Sequence, residues 1–278
     1  AAGLDAMAFY SPAGDGRLYY EVYGEDSGGP SLVFLNGTAQ TTANWRPLAL
    51  GLKDRHRVVL YDARCQGRSD CGAEALSLER HGEDLAGLMD HLSVERAVLV
   101  GLSHGARVAL AAAGRRESRV AGLILLSLGL AASTRMACAL MAWRAALHSG
   151  GCEGLMQAMM PLVFGERFLR EHRLVRSKII AALVQRNDER KMAQLLAAID
   201  GYPPVEAILP TKQVPSMVLS GKDDPLVSDT QARALAIRLG ADYRRLPDTG
   251  HSIPAEAPEA LMEAIAIFFT QFPNDAMP

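Results

Sequence analysis

Cysteine is scarce in this chain. Its 278 residues include four: Cys65, Cys71, Cys138 and Cys152. None forms a Cys-x-x-Cys pair and no histidine stands at zinc-finger spacing, so neither a metal site nor a redox motif is expected. Cys65 and Cys71 are close enough in sequence to bridge, but in a reducing compartment the expected state is the free thiol. Charge of one sign is lacking as well. The net charge is −2, leaving no basic field to attract nucleic acid or an anionic membrane. No apolar run reaches the roughly 18 residues a spanning helix needs. The start, Ala1-Ala2-Gly3-Leu4-Asp5, has neither the charged nor the apolar region of a secretory leader. A cytoplasmic location without membrane or nucleic-acid partners is the expectation. Internal repeats and low-complexity tracts are also missing.

Hydrophobic residues make up 49% and charged residues 22%, an ordinary balance for a globular protein. The length suffices for one large α/β domain or for a core carrying an inserted subdomain. Ser31-Leu32-Val33-Phe34-Leu35, Arg57-Val58-Val59-Leu60-Tyr61, Ala97-Val98-Leu99-Val100 and Gly122-Leu123-Ile124-Leu125-Leu126 are short apolar runs bounded by turn residues. They predict buried strands. Helical stretches separate them, at 44–52, 78–92 and after Ser103. Strand alternating with helix predicts a mostly parallel sheet covered on both faces. Residues 17–23 alternate with period two, predicting an antiparallel edge strand.

The rhythm changes after Leu126. From 132 to 209 successive helical segments carry Met136, Met141, Met156, Met159, Met160 and Met192, punctuated by Gly150-Gly151 and Pro203-Pro204. This stretch is read as a helical lid, inserted between core segments 1–131 and 210–278. A packing layer covering no site would give the same pattern. Methionine suits an adaptable apolar wall. Met136, Trp143, Met160 and Phe164 are candidate pocket walls, although packing within the lid would also place them there. A strand at 214–219, a helix at 229–239, a strand near 243–246 and a helix at 256–269 complete the pattern.

Chemistry is concentrated at Gly101-Leu102-Ser103-His104-Gly105. A serine on the sharp turn between a strand and a helix is a nucleophile elbow, with its residue expected at positive φ. The two glycines leave room where a Cβ would strike a neighbouring element. A serine hydroxyl needs a base within hydrogen-bond reach, and the base needs an orienting carboxylate. Gly221-Lys222-Asp223-Asp224-Pro225 and Gly250-His251 both follow late strands, where sites on open α/β sheets gather. His251 is therefore the candidate base, with an acid from the Asp223-Asp224 pair. His56, His81, His91, His148 and His172 read as solvated surface residues. The His104 side chain is expected to point away from the Ser103 hydroxyl.

Further motifs support a resemblance. Asp62-Ala63-Arg64-Cys65-Gln66-Gly67-Arg68-Ser69-Asp70 resembles the Asp-x-Arg-Gly-x-Gly-x-Ser-Asp loop of the α/β-hydrolase superfamily, with Cys65 in place of glycine. Gly221 followed three residues later by Asp224 resembles that family's acid loop and favours Asp224 over Asp223. Gly250-His251 with Glu256 and Pro258 resembles its histidine motif. The resemblance spans nearly the whole chain. It implies an α/β-hydrolase fold with a Ser103–Asp224–His251 triad and an inserted helical lid. Where the family usually has His-Gly after the third strand, this chain has Asn36-Gly37-Thr38. The resemblance implies oxyanion donors at the backbone N–H groups of His104 and Thr38, with Gly37 as alternate, and places Asn36 among candidate substrate-contacting residues.

The function expected is cofactor-independent hydrolysis of a small to medium carboxylic ester, lactone or thioester through an acyl-enzyme, resembling enol-lactonases and carboxylesterases. A narrower similarity to synthases that join 3-hydroxyacyl groups rests on Asn36-Gly37 and Thr41-Thr42. It offers acyl transfer from acyl carrier protein or CoA as an alternative. A ligand-binding receptor on a hydrolase scaffold is a third reading. A homo-oligomer is compatible with each.

Overall fold

The short apolar runs become the inner strands of one eight-stranded sheet. The computed structural model describes residues 4–12 and 15–272; Ala1, Ala2 and Gly3 of the N-terminal stretch read above lie outside the described residues. The strands are β1 (Ala6–Tyr10), β2 (Leu18–Tyr23), β3 (Ser31–Leu35), β4 (Val58–Tyr61), β5 (Ala97–Leu102), β6 (Val120–Leu126), β7 (Ser216–Gly221) and β8 (Asp242–Leu246). Their order is β1-β2-β4-β3-β5-β6-β7-β8. The pairs β1·β2 and β2·β4 are antiparallel; the remaining pairs are parallel. The antiparallel direction of residues 17–23 is as expected, but β2 is not the edge. β1 lies outside it, a five-residue strand with Met7 and Phe9 exposed, too short and too wet to show a periodic pattern.

Ten α-helices are found among the described residues. They are α1 (Arg46–Leu52), α2 (Leu78–His91), α3 (His104–Arg115), α4 (Thr134–Val163), α5 (Glu166–Glu171), α6 (Arg176–Arg186), α7 (Glu189–Asp200), α8 (Asp229–Leu239), α9 (Ile253–Glu256) and α10 (Pro258–Gln271). Local signals set several ends. The Ser77 and Ser228 hydroxyls accept the N–H groups of Arg80 and Gln231 at the starts of α2 and α8. Helices α2, α3 and α8 pack on one face of the sheet through Leu85, Val108 and Leu235. Helices α1 and α10 cover the other through Leu48 and Phe268. Both faces of the inner strands are therefore dry, which is why their sequences run apolar without alternation.

Between β6 and β7 stand α4 to α7, with no strand among them. Helices α4, α6 and α7 share a separate apolar cluster built on Trp143, Leu155, Met156, Leu195 and Leu196, which meets the body at Ala39, Cys65 and Leu226. Helix α4 is broken at Gly151 (φ 59°, ψ −157°), within the Gly-Gly pair read as punctuation. No helix among the described residues is long and apolar enough to cross a membrane.

Glu21 is the most heavily bonded charge under the sheet's antiparallel side. Fully buried, it accepts the hydroxyls of Tyr19, Tyr23 and Thr42 and the Arg46 guanidinium. Burial pushes its pKa up. The bonds from Arg46, Tyr23, Thr42 and Tyr19 outweigh burial and bring it from 4.5 to about 2.

One expectation is overturned. Cys65 and Cys71 form a disulfide, with Cα atoms 4.4 Å apart; Cys138 and Cys152 are free. The loop after β4 doubles back, the Cys65 N–H donating to the Asp70 carbonyl at 3.2 Å. That turn, rather than the redox compartment assumed above, brings the sulfurs together. Such cross-links persist in oxidising surroundings.

Thiol titration of the unfolded, non-reduced protein should find two sulfhydryls; four would remove the cross-link. Replacement Glu21→Gln should lower unfolding stability by about 2–3 kcal/mol, less than a fully buried pair because Arg46 is partly exposed. Glu21 stabilises the fold above pH 4.5, and that contribution disappears as pH falls through about 2. The variant should flatten the pH–stability curve over that interval in denaturant titrations.

Candidate active site

Ser103 lies between β5 and α3 with φ 51° and ψ −105°, the strained conformation expected of an elbow. Its neighbours allow the strain. A Cβ on Gly105 would come within 2.2 Å of the Leu35 carbonyl oxygen, and one on Gly101 within 2.5 Å of the Gly105 oxygen. Helix α3 can thus press against the ends of β3 and β5 only with glycine at both positions. The Ser103 N–H donates to the Leu126 carbonyl at 2.9 Å, tying the turn to β6.

The acid and the histidine arrive from the far side of the sheet. Asp224 follows β7, with a side chain closed to solvent. One carboxylate oxygen accepts the N–H groups of Leu226 and Val227 at 2.8 and 3.1 Å. The other lies 2.8 Å from His251 Nδ1. An ionised carboxylate can only accept, so Nδ1 carries the proton and Nε2 faces away from Asp224. Asp223 is exposed; the structure brings its neighbour onto the imidazole. Gly221 lets the two loops touch, since a Cβ there would lie 2.1 Å from the Gly250 oxygen. His251 and Ser103 then share the wall of one cavity.

Glu256 holds the histidine loop. Its buried carboxylate accepts the N–H groups of Gly165, Gly250 and Ser252 at 2.9, 2.9 and 3.1 Å. Burial nevertheless raises its pKa. The Ser127 hydroxyl donates to the His251 carbonyl at 2.8 Å from the opposite side. The family motif contained Glu256, but only the fold shows that it also clasps the chain after α4.

Thr38 lies beside Ser103 in the cavity wall. The His104 N–H, first in α3, has no helical partner and lies at the positive end of the helix dipole. Gly37, the alternate donor, is engaged: its N–H donates to Gln40 Oε1 at 2.9 Å. Asn36 is not a pocket residue. It is 2% exposed, and its amide donates to the Tyr61 carbonyl and Asp62 while accepting from Trp45 Nε1 at 2.8 Å. Every one of those bonds points into the body, so it braces the loop after β3 instead.

The cavity has two lobes joined at Thr38, Ser103 and His251. The first is apolar and lined by the expected Trp143, Met160 and Phe164. Met156 and Met159 join them, although α4 read in sequence only as methionine-rich. The second contains the expected Met136 beside Arg107 and Tyr202. Neither of these two was anticipated. The one available signal was an arginine within the apolar run at 106–113.

Two histidines also differ from expectation. His56 and His81 are buried, 8% and 1% exposed. His81 Nε2 lies 3.0 Å from the Tyr202 hydroxyl, which also lies 3.4 Å from His104 Nε2. The two imidazoles meet edge to face at 5.1 Å. The His104 ring is thus turned onto Tyr202, as its place in the first helical turn implied. Burial, with the Arg64 charge adding to it, pulls the His81 pKa down to about 4. Burial also carries that of His104 well below its ordinary value. Among the described residues no group of His, Cys, Asp and Glu could hold a metal ion.

An eight-stranded sheet with this elbow and these loops defines a class. The sequence profile of the Alpha/beta hydrolase family matches residues 32–264, and the chain belongs to that family. It is 25% identical over 244 residues to 3-oxoadipate enol-lactonase 1 of Acinetobacter baylyi, covering 86% of this chain and 88% of that one. Among solved structures it resembles the enol-lactonase from Burkholderia xenovorans LB400 (TM-score 0.83, 27% identity, 95% and 100% of the two chains). It also resembles a thermophilic esterase from Thermogutta terrifontis (TM-score 0.84, 26% identity, 96% and 98%).

The buried neutral histidines make the fold acid-sensitive. Between the unfolded value of 6.5 and the folded value of about 4, the unfolded chain binds a proton that folded His81 refuses. Stability therefore falls as pH drops across that window, by up to roughly 3 kcal/mol for His81. His81→Gln should reduce the slope in thermal unfolding followed from pH 7 to 4; an unaltered slope would exclude this origin.

Proposed function

We propose that the protein is a serine hydrolase of carboxylic esters or lactones. The 2.8 Å contact of His251 Nδ1 with buried Asp224 carries this reading, because it leaves Nε2 as the base in a cavity shared with Ser103. The enol-lactonases and the esterase among the similar proteins support ester or lactone substrates.

In the acylation step Ser103 Oγ bonds to the substrate carbonyl carbon while its proton passes to His251 Nε2. Asp224 stabilises the imidazolium and holds its tautomer. The carbonyl oxygen becomes an oxyanion, bound by the N–H groups of Thr38 and His104, each worth about 3–4 kcal/mol in systems of this type. Collapse re-forms the carbonyl and breaks the bond between its carbon and the alkoxy oxygen, and His251 returns the proton to the departing alkoxide. Water then attacks the acyl-enzyme, giving its proton to His251; the acid leaves and the proton returns to Ser103. Helices α4 to α7 act as the lid on this site. Their apolar lobe takes the hydrocarbon part of the substrate.

Ser103→Ala should lose p-nitrophenyl ester turnover by ~10³-fold or more with its unfolding midpoint retained. A fluorophosphonate should label the wild-type serine and not the variant. Undiminished turnover by Ser103→Ala would sink the mechanism.

A further inference from the structure

The second lobe of the cavity contains a cation with no counter-ion. Arg107 is one helical turn beyond Ser103 on α3, its N–H donating to the Ser103 carbonyl at 3.1 Å. Its guanidinium donates through Nη2 to the Pro203 carbonyl at 3.0 Å and faces the Tyr202 ring at 5.8 Å. Nε is buried without a hydrogen-bond partner. No carboxylate among the described residues pairs with it. The other polar groups of the lobe add no compensating charge: the Tyr202 hydroxyl is held protonated by burial, and the rest are the hydroxyls of Thr38, Ser103, Ser127 and Ser133 and the imidazoles of His104 and His251. The apolar lobe contains no charged side chain of Asp, Glu, Lys or Arg.

Arg107 is half-buried; a guanidinium partly withdrawn from water and left without a counter-ion is unfavourable, and a planar, two-oxygen anion fits its fork best. Four residues of helix place the Arg107 Cα about 6 Å along the axis from Ser103. A carboxylate held there would belong to the same small molecule whose carbonyl is attacked. On the serine-hydrolase reading above, we propose that Arg107 recognises a carboxylate carried by the substrate, so that the preferred substrates are short esters or lactones bearing a free acid group. The chain therefore divides its substrate by polarity: the hydrocarbon portion lies against α4, and the anionic end against α3 and Tyr202.

The test compares two esters of equal chain length, p-nitrophenyl hydrogen glutarate and p-nitrophenyl pentanoate. The ratio of their kcat/KM values should favour the acidic ester in the wild type. Arg107→Gln should lower the ratio tenfold or more, Arg107→Lys should restore part of it, and added salt should weaken the wild-type preference. A ratio unmoved by Arg107→Gln would overturn the proposal, since a merely structural arginine would affect both esters alike. Calorimetry with glutarate on Ser103→Ala supplies a readout that needs no turnover. There Arg107→Gln, added to Ser103→Ala, should weaken binding at least tenfold, and equal affinity or no binding to the parent counts against the subsite. Glutarate binding that depends on Arg107, in a wild type that turns over neither ester, would refute the hydrolase reading and leave the subsite standing.

Discussion

The contact between the start of α3 and the end of β3 governs everything at this site. With only hydrogen on Gly105 facing the Leu35 carbonyl, the helix approaches the sheet closely enough to force Ser103 into positive φ. The same approach places the first N–H of α3, that of His104, directly after the serine. On the proposed mechanism, nucleophile exposure and oxyanion binding rest on this one packing event, and a single methyl group at Gly105 would disturb both. Strain of this kind persists only where surrounding structure over-determines it. Here the Ser103 N–H on Leu126 supplies part of that support.

Around this rigid centre the two cavity lobes are built differently. The floor and the histidine loop are held by directional bonds, those of Glu256 to three backbone N–H groups and of Ser127 to the His251 carbonyl. The apolar lobe is made of Met156, Met159 and Met160, with soft side chains of many rotamers. Precision is needed where a proton moves over a fraction of an ångström, and tolerance where hydrocarbon is accommodated. Glu256 joins the two, because it binds both the loop of His251 and the chain leaving α4.

The inner strands, the elbow and the order of the three candidate triad residues could be read from the chain because each is a local pattern. Apolar runs of four to seven residues, a serine between glycines at a strand–helix junction, and Gly-x-x-Asp followed by Gly-His are all contained within short windows. What was misread depends on partners or on backbone turns that the local pattern does not contain. His81 looks solvated on a helix bearing Arg80, Glu83 and Asp84, yet Tyr202, 121 positions away, covers it. Asn36 stands where a pocket residue was expected, but Trp45 and Asp62 draw its amide inward. Cys65 and Cys71 are joined by a turn that no composition argument about compartments could foresee.

By itself the sequence determined the inner strands, the helices between them, and where a serine, an acid and a histidine come at strand ends, but not the outer strand β1, because hydrophobic period and turn chemistry act over a few residues. Only the tertiary structure decided that Gly37 is spent on Gln40, that Asn36 turns inward, and that Arg107 faces the cavity with no carboxylate among the described residues beside it. Those outcomes depend on burial and on partners brought together by the crossing of the sheet, and neither is encoded within reach of a single residue's neighbours.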